Sequence, residues 1–182
     1  EEADGESLLE TLRTRCGLIS IKDGCRPQGQ CGCCVALVDG LPKVTCAMSA
    51  EWVAGRSVVT LEGLDEDERR SIADCFVATA GLQCGFCIPG MIVSSAALLA
   101  EKPQPSRDEI RQYLAGNLCR CTGYQKAIDA VELVGQKQPA AEQPDRDHLA
   151  GSLSARPAPV LVVATRRFDV RTSMTAGANV ET

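Results

Sequence analysis

Aromatic side chains make up only 3% of the 182 residues, and histidine occurs once. With so little aromatic volume, the core must be built from Ala, Val, Leu and Ile. Such a core buries little apolar area per residue, and metal clips are a common remedy. The lone His148 sits in a polar stretch, where a solvated side chain is far commoner than a ligand or catalyst. No apolar run approaches the ~18 residues a membrane-spanning helix needs. Positive charge is short as well: the net charge of −5 argues against a nucleic-acid partner. There is no nucleophile–base pair, Walker loop or Rossmann fingerprint. Gly29 and Gly32 lie among cysteines rather than on a strand-to-helix phosphate turn, so no dinucleotide site is expected.

Cysteine, by contrast, is abundant, with eleven in the chain. In a short secreted protein they would read as a disulfide framework. This chain is longer, its cysteine count is odd, its start shows no signal-peptide pattern, and the cysteines fall in clusters of metal-binding type. A reducing compartment, the cytoplasm, is expected.

The most telling stretch runs from Gln83 to Gly123. Cys84 and Cys87 form a C-x2-C pair and Cys119 and Cys121 a C-x-C pair, with 31 residues between the pairs. Four thiolates make a soft, closed shell for one zinc ion or one small cluster. C-x-C is cramped for a single tetrahedral zinc, whereas a [2Fe–2S] cluster spreads its thiolates over two irons, one close pair to each. Iron–sulfur is therefore preferred, and a zinc-stabilised interaction module without redox activity is the alternative.

A second group lies earlier, with Cys25, Cys31 and Cys34 in one loop and Cys46 following later. It resembles the plant-type ferredoxin pattern of three clustered cysteines and one distant cysteine. Two residues separate Cys31 from Cys34, as that pattern asks, but five rather than four separate Cys25 from Cys31. Cys33 stands beside Cys34, so a shifted ligand set that includes Cys33 stays open. Cys16 and Cys75 lie in helical text, where a free thiol usually serves as a small buried hydrophobe.

Both motifs, in this order and nearly at this separation, resemble the small iron–sulfur subunit or N-terminal iron–sulfur domain of the molybdenum hydroxylases. These include xanthine dehydrogenase, aldehyde oxidoreductase and carbon monoxide dehydrogenase. The likeness covers about residues 6–135, and QCGFCIPG and NLCRCTGY are its most discriminating strings. It implies two [2Fe–2S] clusters, held by Cys25, Cys31, Cys34 and Cys46 and by Cys84, Cys87, Cys119 and Cys121. It also implies that Gln83 contacts the pterin of a molybdenum cofactor and that Cys121 is the ligand nearest that pterin. Molybdopterin, and FAD where present, would sit on partner subunits or domains, with a flavin subunit or a cytochrome as acceptor. Arg120 and Tyr124 are packing or interface residues; the sequence leaves both readings open.

The rest of the chain gives an α+β expectation. Residues 1–63 read as a β-grasp, ferredoxin-like domain. Its first helix spans Ser7–Cys16, with Ser7 as N-cap, Gly17 as stop, and Leu8, Leu9 and Leu12 on one face. An extended run follows at Leu18–Ile21, then a hairpin turning at Asp39-Gly40 and a strand over Val58–Leu61. Family members begin with a further β-hairpin, and without one a sheet edge would be open; the sequence is expected to begin inside a longer protein. Residues 64–137 read as an all-α, four-helix [2Fe–2S]-binding domain. Asp65 caps a helix near Asp67–Ala80, Pro89 opens a second, and Ser106 with Glu109 forms a capping box for a third. A fourth runs from Tyr124 to about Gln136. Residues 138–182 read as an irregular tail, relieved by one apolar run at Val160–Ala164.

Overall fold

The computed structural model describes residues 5–137 and two short strands at 161–163 and 166–168. His148 and the remainder of the tail lie outside the described residues.

Ser7 opens the first helix by accepting the Glu10 N–H at 3.2 Å, which satisfies a donor that the helix itself leaves orphaned. Helix α1 (Leu8–Glu10) widens at once into π-type turns over Thr11–Arg15, where the Cys16 N–H reaches back to the Thr11 carbonyl. Leu8, Leu9 and Leu12 are buried on one side, and Gly17 ends the helix at φ +68°. The run at Leu18–Ile21 joins no strand. Leu18 and Ile21 point inward, Ile19 is 69% exposed, and the Lys22 N–H bonds instead to the Cys33 carbonyl at 3.0 Å. That segment is held by the cysteine loop, not by a sheet.

Strands β1 (Val35–Val38) and β2 (Leu41–Val44) form an antiparallel hairpin with Val35 opposite Val44. Its turn residues, Asp39 and Gly40, both take positive φ (50° and 78°), as a tight primed turn requires. Strand β3 (Val58–Val59) pairs antiparallel with the other edge of β1, giving the order β2-β1-β3. It ends two residues sooner than expected because Leu61–Gly63 coils into a 3-10 turn. Side chains alternate along β1. Val35 and Leu37 pack on the helical core, while Ala36 and Val38 pack with Leu8, Leu12, Val53 and Val58. One strand thus serves two cores.

Four longer helices follow among the described residues: α2 (Glu66–Ala78), α3 (Ile88–Glu101), α4 (Arg107–Leu114) and α5 (Gln125–Lys137). The Asp65 carboxylate caps α2 through the Asp67 and Glu68 N–H groups at 3.1 and 3.0 Å. Ile72, Cys75 and Phe76 face the core, whereas the apolar Val77 is 66% exposed. Helix α3 is buried almost all round from Gly90 to Leu99, so it is the central helix of this layer. Ser106 and Glu109 close the anticipated capping box on α4. Arg107 ties α4 to α5 through Asp129 at 2.8 Å and through Glu132. In the tail, β4 (Leu161–Val163) and β5 (Arg166–Phe168) pair antiparallel, and β4 lies against β3. No helix among the described residues is long and apolar enough to cross a membrane.

Candidate metal centres

Helix ends position the later cysteines. Cys84 and Cys87 occupy the turn leading into α3, with Cys87 at its N-cap position; Cys119 and Cys121 occupy the loop between α4 and α5. Folding brings the two loops together as sulfur pairs. The Cys84 and Cys121 sulfurs lie 3.5 Å apart and are exposed, while the buried Cys87 thiol meets Cys119.

Backbone donors converge on Cys119. The N–H groups of Cys121 and Thr122 each lie 3.4 Å from its sulfur, and the Thr122 hydroxyl lies 3.2 Å away. Burial works against ionisation there, yet these donors hold the thiol down to about 7. Its partner Cys87 is pushed up to about 12 by burial and by Cys119. The outer pair is divided likewise: the Phe86 N–H lowers Cys84, and the hydrogen bond to Cys84 raises Cys121. In each pair the surroundings make one sulfur the easier to ionise and the other the harder.

Two residues support this loop: Tyr124, whose role the sequence left open, and Asn117, which it did not single out. Tyr124 takes a left-handed backbone conformation, φ 69°, and its hydroxyl accepts the Cys119 N–H at 2.8 Å. Tyr124 thus supports the Cys119 loop within the chain, while Arg120 is exposed. Asn117 is 4% exposed, and its side-chain amide donates to the Gly32 carbonyl at 3.1 Å. A burial this deep for an amide is invisible in a bare string of residues. Gln83, singled out beforehand, lies on the surface beside Cys84 and donates to the Cys121 carbonyl at 3.2 Å.

The earlier loop assembles in the same manner. Cys25 accepts the Gln28 N–H at 3.3 Å, and the N–H groups of Gln30, Gln28 and Cys31 bring its thiol down to about 6. Its side chain meets Cys31. Thr45 hydrogen-bonds the Cys34 carbonyl through its hydroxyl at 2.7 Å, which returns the chain so that Cys46 meets Cys34 and faces Cys25. Burial, followed by that Cys34 contact, pushes Cys46 up to about 12. The structure therefore brings Cys25, Cys31, Cys34 and Cys46 together, with the buried Cys33 thiol 3.7 Å from the Cys31 carbonyl.

The two loops abut. The Leu118 N–H donates to the Cys31 carbonyl at 2.8 Å, beside the Asn117 bond to Gly32. Glycine is required on both sides of this seam: a Cβ on Gly32 would stand 2.2 Å from the Gly116 oxygen, and one on Gly90 2.4 Å from the Gly32 oxygen.

Among the described residues no three His, Cys, Asp or Glu side chains close on a single-ion position. The thiols come in pairs ringed by N–H donors, which suits a cluster giving two thiolates to each iron better than one tetrahedral zinc.

The family described as "[2Fe-2S] binding domain" matches residues 60–132, a span containing Cys84, Cys87, Cys119 and Cys121. The nicotinate dehydrogenase small FeS subunit of Eubacterium barkeri is 45% identical over 125 residues, 68% of this chain and 79% of that one. The xanthine dehydrogenase iron-sulfur-binding subunit of Escherichia coli O157:H7 is 44% identical over 131 residues, 70% of this chain and 80% of that one. Among solved structures, quinoline 2-oxidoreductase from Pseudomonas putida 86 superposes with a TM-score of 0.67 at 44% identity, covering 71% of this chain and 82% of the matched one. The chain belongs to the iron–sulfur subunits of the molybdenum hydroxylases. As a member of that family it is the iron–sulfur component of an oxidoreductase and binds [2Fe–2S]. Its mixed helix-and-sheet architecture is that of the molybdenum hydroxylase iron–sulfur domains.

Proposed function

We propose that this chain holds two [2Fe–2S] clusters and relays electrons from a molybdopterin site on a large subunit to flavin or another acceptor. On this reading residues 1–63 form the β-grasp domain, with Cys25, Cys31, Cys34 and Cys46 as ligands. Residues 64–137 form the helical domain, with Cys84, Cys87, Cys119 and Cys121. Two [2Fe–2S] clusters, when bound, supply one-electron carriers whose potentials follow hydrogen bonding and exposure.

The chain's own residues give the relay a direction. Cys84 and Cys121 are exposed and flanked by Gln83, a surface through which a molybdopterin-bearing partner would be contacted. Behind them Cys87 and Cys119 are screened from water to a greater degree, and Cys119 is one residue from Leu118. The observation that carries the proposal is the Leu118 N–H bond to the Cys31 carbonyl. It joins the two ligand loops through covalent bonds and a single hydrogen bond.

Iron, zinc and acid-labile sulfide per chain, with an EPR spectrum after dithionite reduction, test the reading. About four irons and four sulfides with two distinguishable S = 1/2 signals support it. Zinc without sulfide overturns it. Co-purification with a molybdenum-bearing subunit tests the partner.

A further inference from the structure

Phe86 stands between Cys84 and Cys87 in the later motif, yet its ring reaches the earlier one. A Cβ built on Gly24 would stand 3.2 Å from the edge of the Phe86 ring, 3.0 Å from the Cys31 sulfur and 3.2 Å from the Cys33 sulfur. Ring and sulfurs therefore border one small space, which any side chain at position 24 would contest. Gly24 has no left-handed φ to explain it, so what this glycine supplies is room. Gly24 itself is exposed, and Cys25 beside it is partly exposed, yet Cys31 and Cys33 are buried. The turn that carries the ring is fixed. The Ile88 N–H donates to the Gly85 carbonyl at 3.2 Å, closing the chain around Phe86 and Cys87, and the Phe86 N–H bonds to the Cys84 sulfur. Phe86 is 45% exposed, so the ring has solvent on one part of its surface and the Gly24 space on another.

We propose that Phe86 is the cover of the first thiol group: lent by the second ligand loop, its ring keeps water and small solutes from the Cys31 and Cys33 sulfurs. Its effect on a cluster rests on the two-cluster reading; its effect on the thiols does not. A [2Fe–2S] centre held by four thiolates is anionic, and taking one iron from ferric to ferrous adds a further negative charge. Water favours the more highly charged state, so a cover that excludes it disfavours reduction of the first cluster. A side chain about half covered gains about half the transfer free energy of full burial. That corresponds to roughly a 4- to 12-fold excess of the covered over the open arrangement.

The test compares wild type, Phe86→Ala and Phe86→Leu in the assembled protein, with Cys25→Ser identifying the first-cluster signal. Iron removal by bathophenanthroline is followed through the loss of each EPR signal after dithionite reduction. In Phe86→Ala the first signal should decay roughly 4- to 12-fold faster, and its reduced fraction at fixed potential should rise. Phe86→Leu, which keeps apolar bulk, should recover most of the protection. Phe86 lies between two ligands of the second group, so a merely local support would disturb the second signal first. Faster loss of the second signal than of the first, or an unmoved first signal, would overturn the cover. A wild type holding neither iron nor sulfide would overturn the cluster reading instead. The cover would then be read from iodoacetamide labelling of Cys31 and Cys33: faster labelling in Phe86→Ala supports it, and equal labelling removes it.

Discussion

The backbone N–H of Leu118 lies 2.8 Å from the carbonyl oxygen of Cys31. These residues are 87 positions apart in the chain, yet each adjoins or is a cysteine of the two thiol groups. From the Cys31 sulfur the route runs through its own backbone, across one hydrogen bond, and through Leu118 to the Cys119 sulfur. A packing contact between loops is also a bonded connection between them.

Asn117 should fix that connection. Its buried amide is the donor to the Gly32 carbonyl, so Asn117→Ala leaves that oxygen without it at a cost of ~1–3 kcal/mol. Thermal unfolding should show the loss. Magnetic interaction between the two EPR signals should weaken as the loops separate, with iron content retained. Unchanged unfolding and unchanged spin interaction would show that Leu118 alone holds the seam.

Gly90→Ala probes the same seam sterically. The added methyl would meet the Gly32 oxygen at 2.4 Å, and that oxygen is backbone, fixed by Asn117. Overpacking of this kind typically costs ~1–3 kcal/mol. Helix propensity alone would favour Ala over Gly by up to ~1 kcal/mol. A stabilised Gly90→Ala variant, read by its unfolding midpoint, would mean that the loops can part without penalty.

Much of this was legible in the sequence, and the reasons are local. Ser7, Asp65, Ser106 with Glu109, and Asp39-Gly40 act through neighbours within four residues, so their caps and turn follow from residue type alone. The cysteine spacings likewise announced two thiol groups, and the structure gathers both. What stayed hidden depends on distant parts of the chain. Val58–Leu61 reads as a four-residue strand, but only two residues find a partner on β1. Ile19 and Val77 are apolar at positions that the final packing leaves in water. Asn117 looks like an ordinary loop residue until Gly32 is placed beside it, and Tyr124 shows its role only once the Cys119 N–H lies on its hydroxyl.

Cys25→Ser and Cys84→Ser should each remove one EPR signal and about half of the iron and sulfide, leaving the other centre in place. The two thiol groups are built on different elements, which is why the losses should be separable. Persistence of both signals in Cys25→Ser, with one lost in Cys33→Ser, would put Cys33 in the ligand set in place of Cys25.

Gln83→Ala tests the outward face. In the chain itself Gln83 makes one surface hydrogen bond, to the Cys121 carbonyl at 3.2 Å, so its removal should leave iron content and unfolding nearly unchanged. In the enzyme assembled with its molybdenum-bearing subunit, the same variant should lose an interaction at the pterin side. Turnover should then fall by about 3- to 10-fold, the scale of one hydrogen bond. The decisive comparison is between that turnover and direct dithionite reduction of the clusters, which bypasses the molybdenum site. Slowed turnover with normal dithionite reduction places Gln83 on the entry path. Equal slowing of both would make it merely a support of the Cys121 loop.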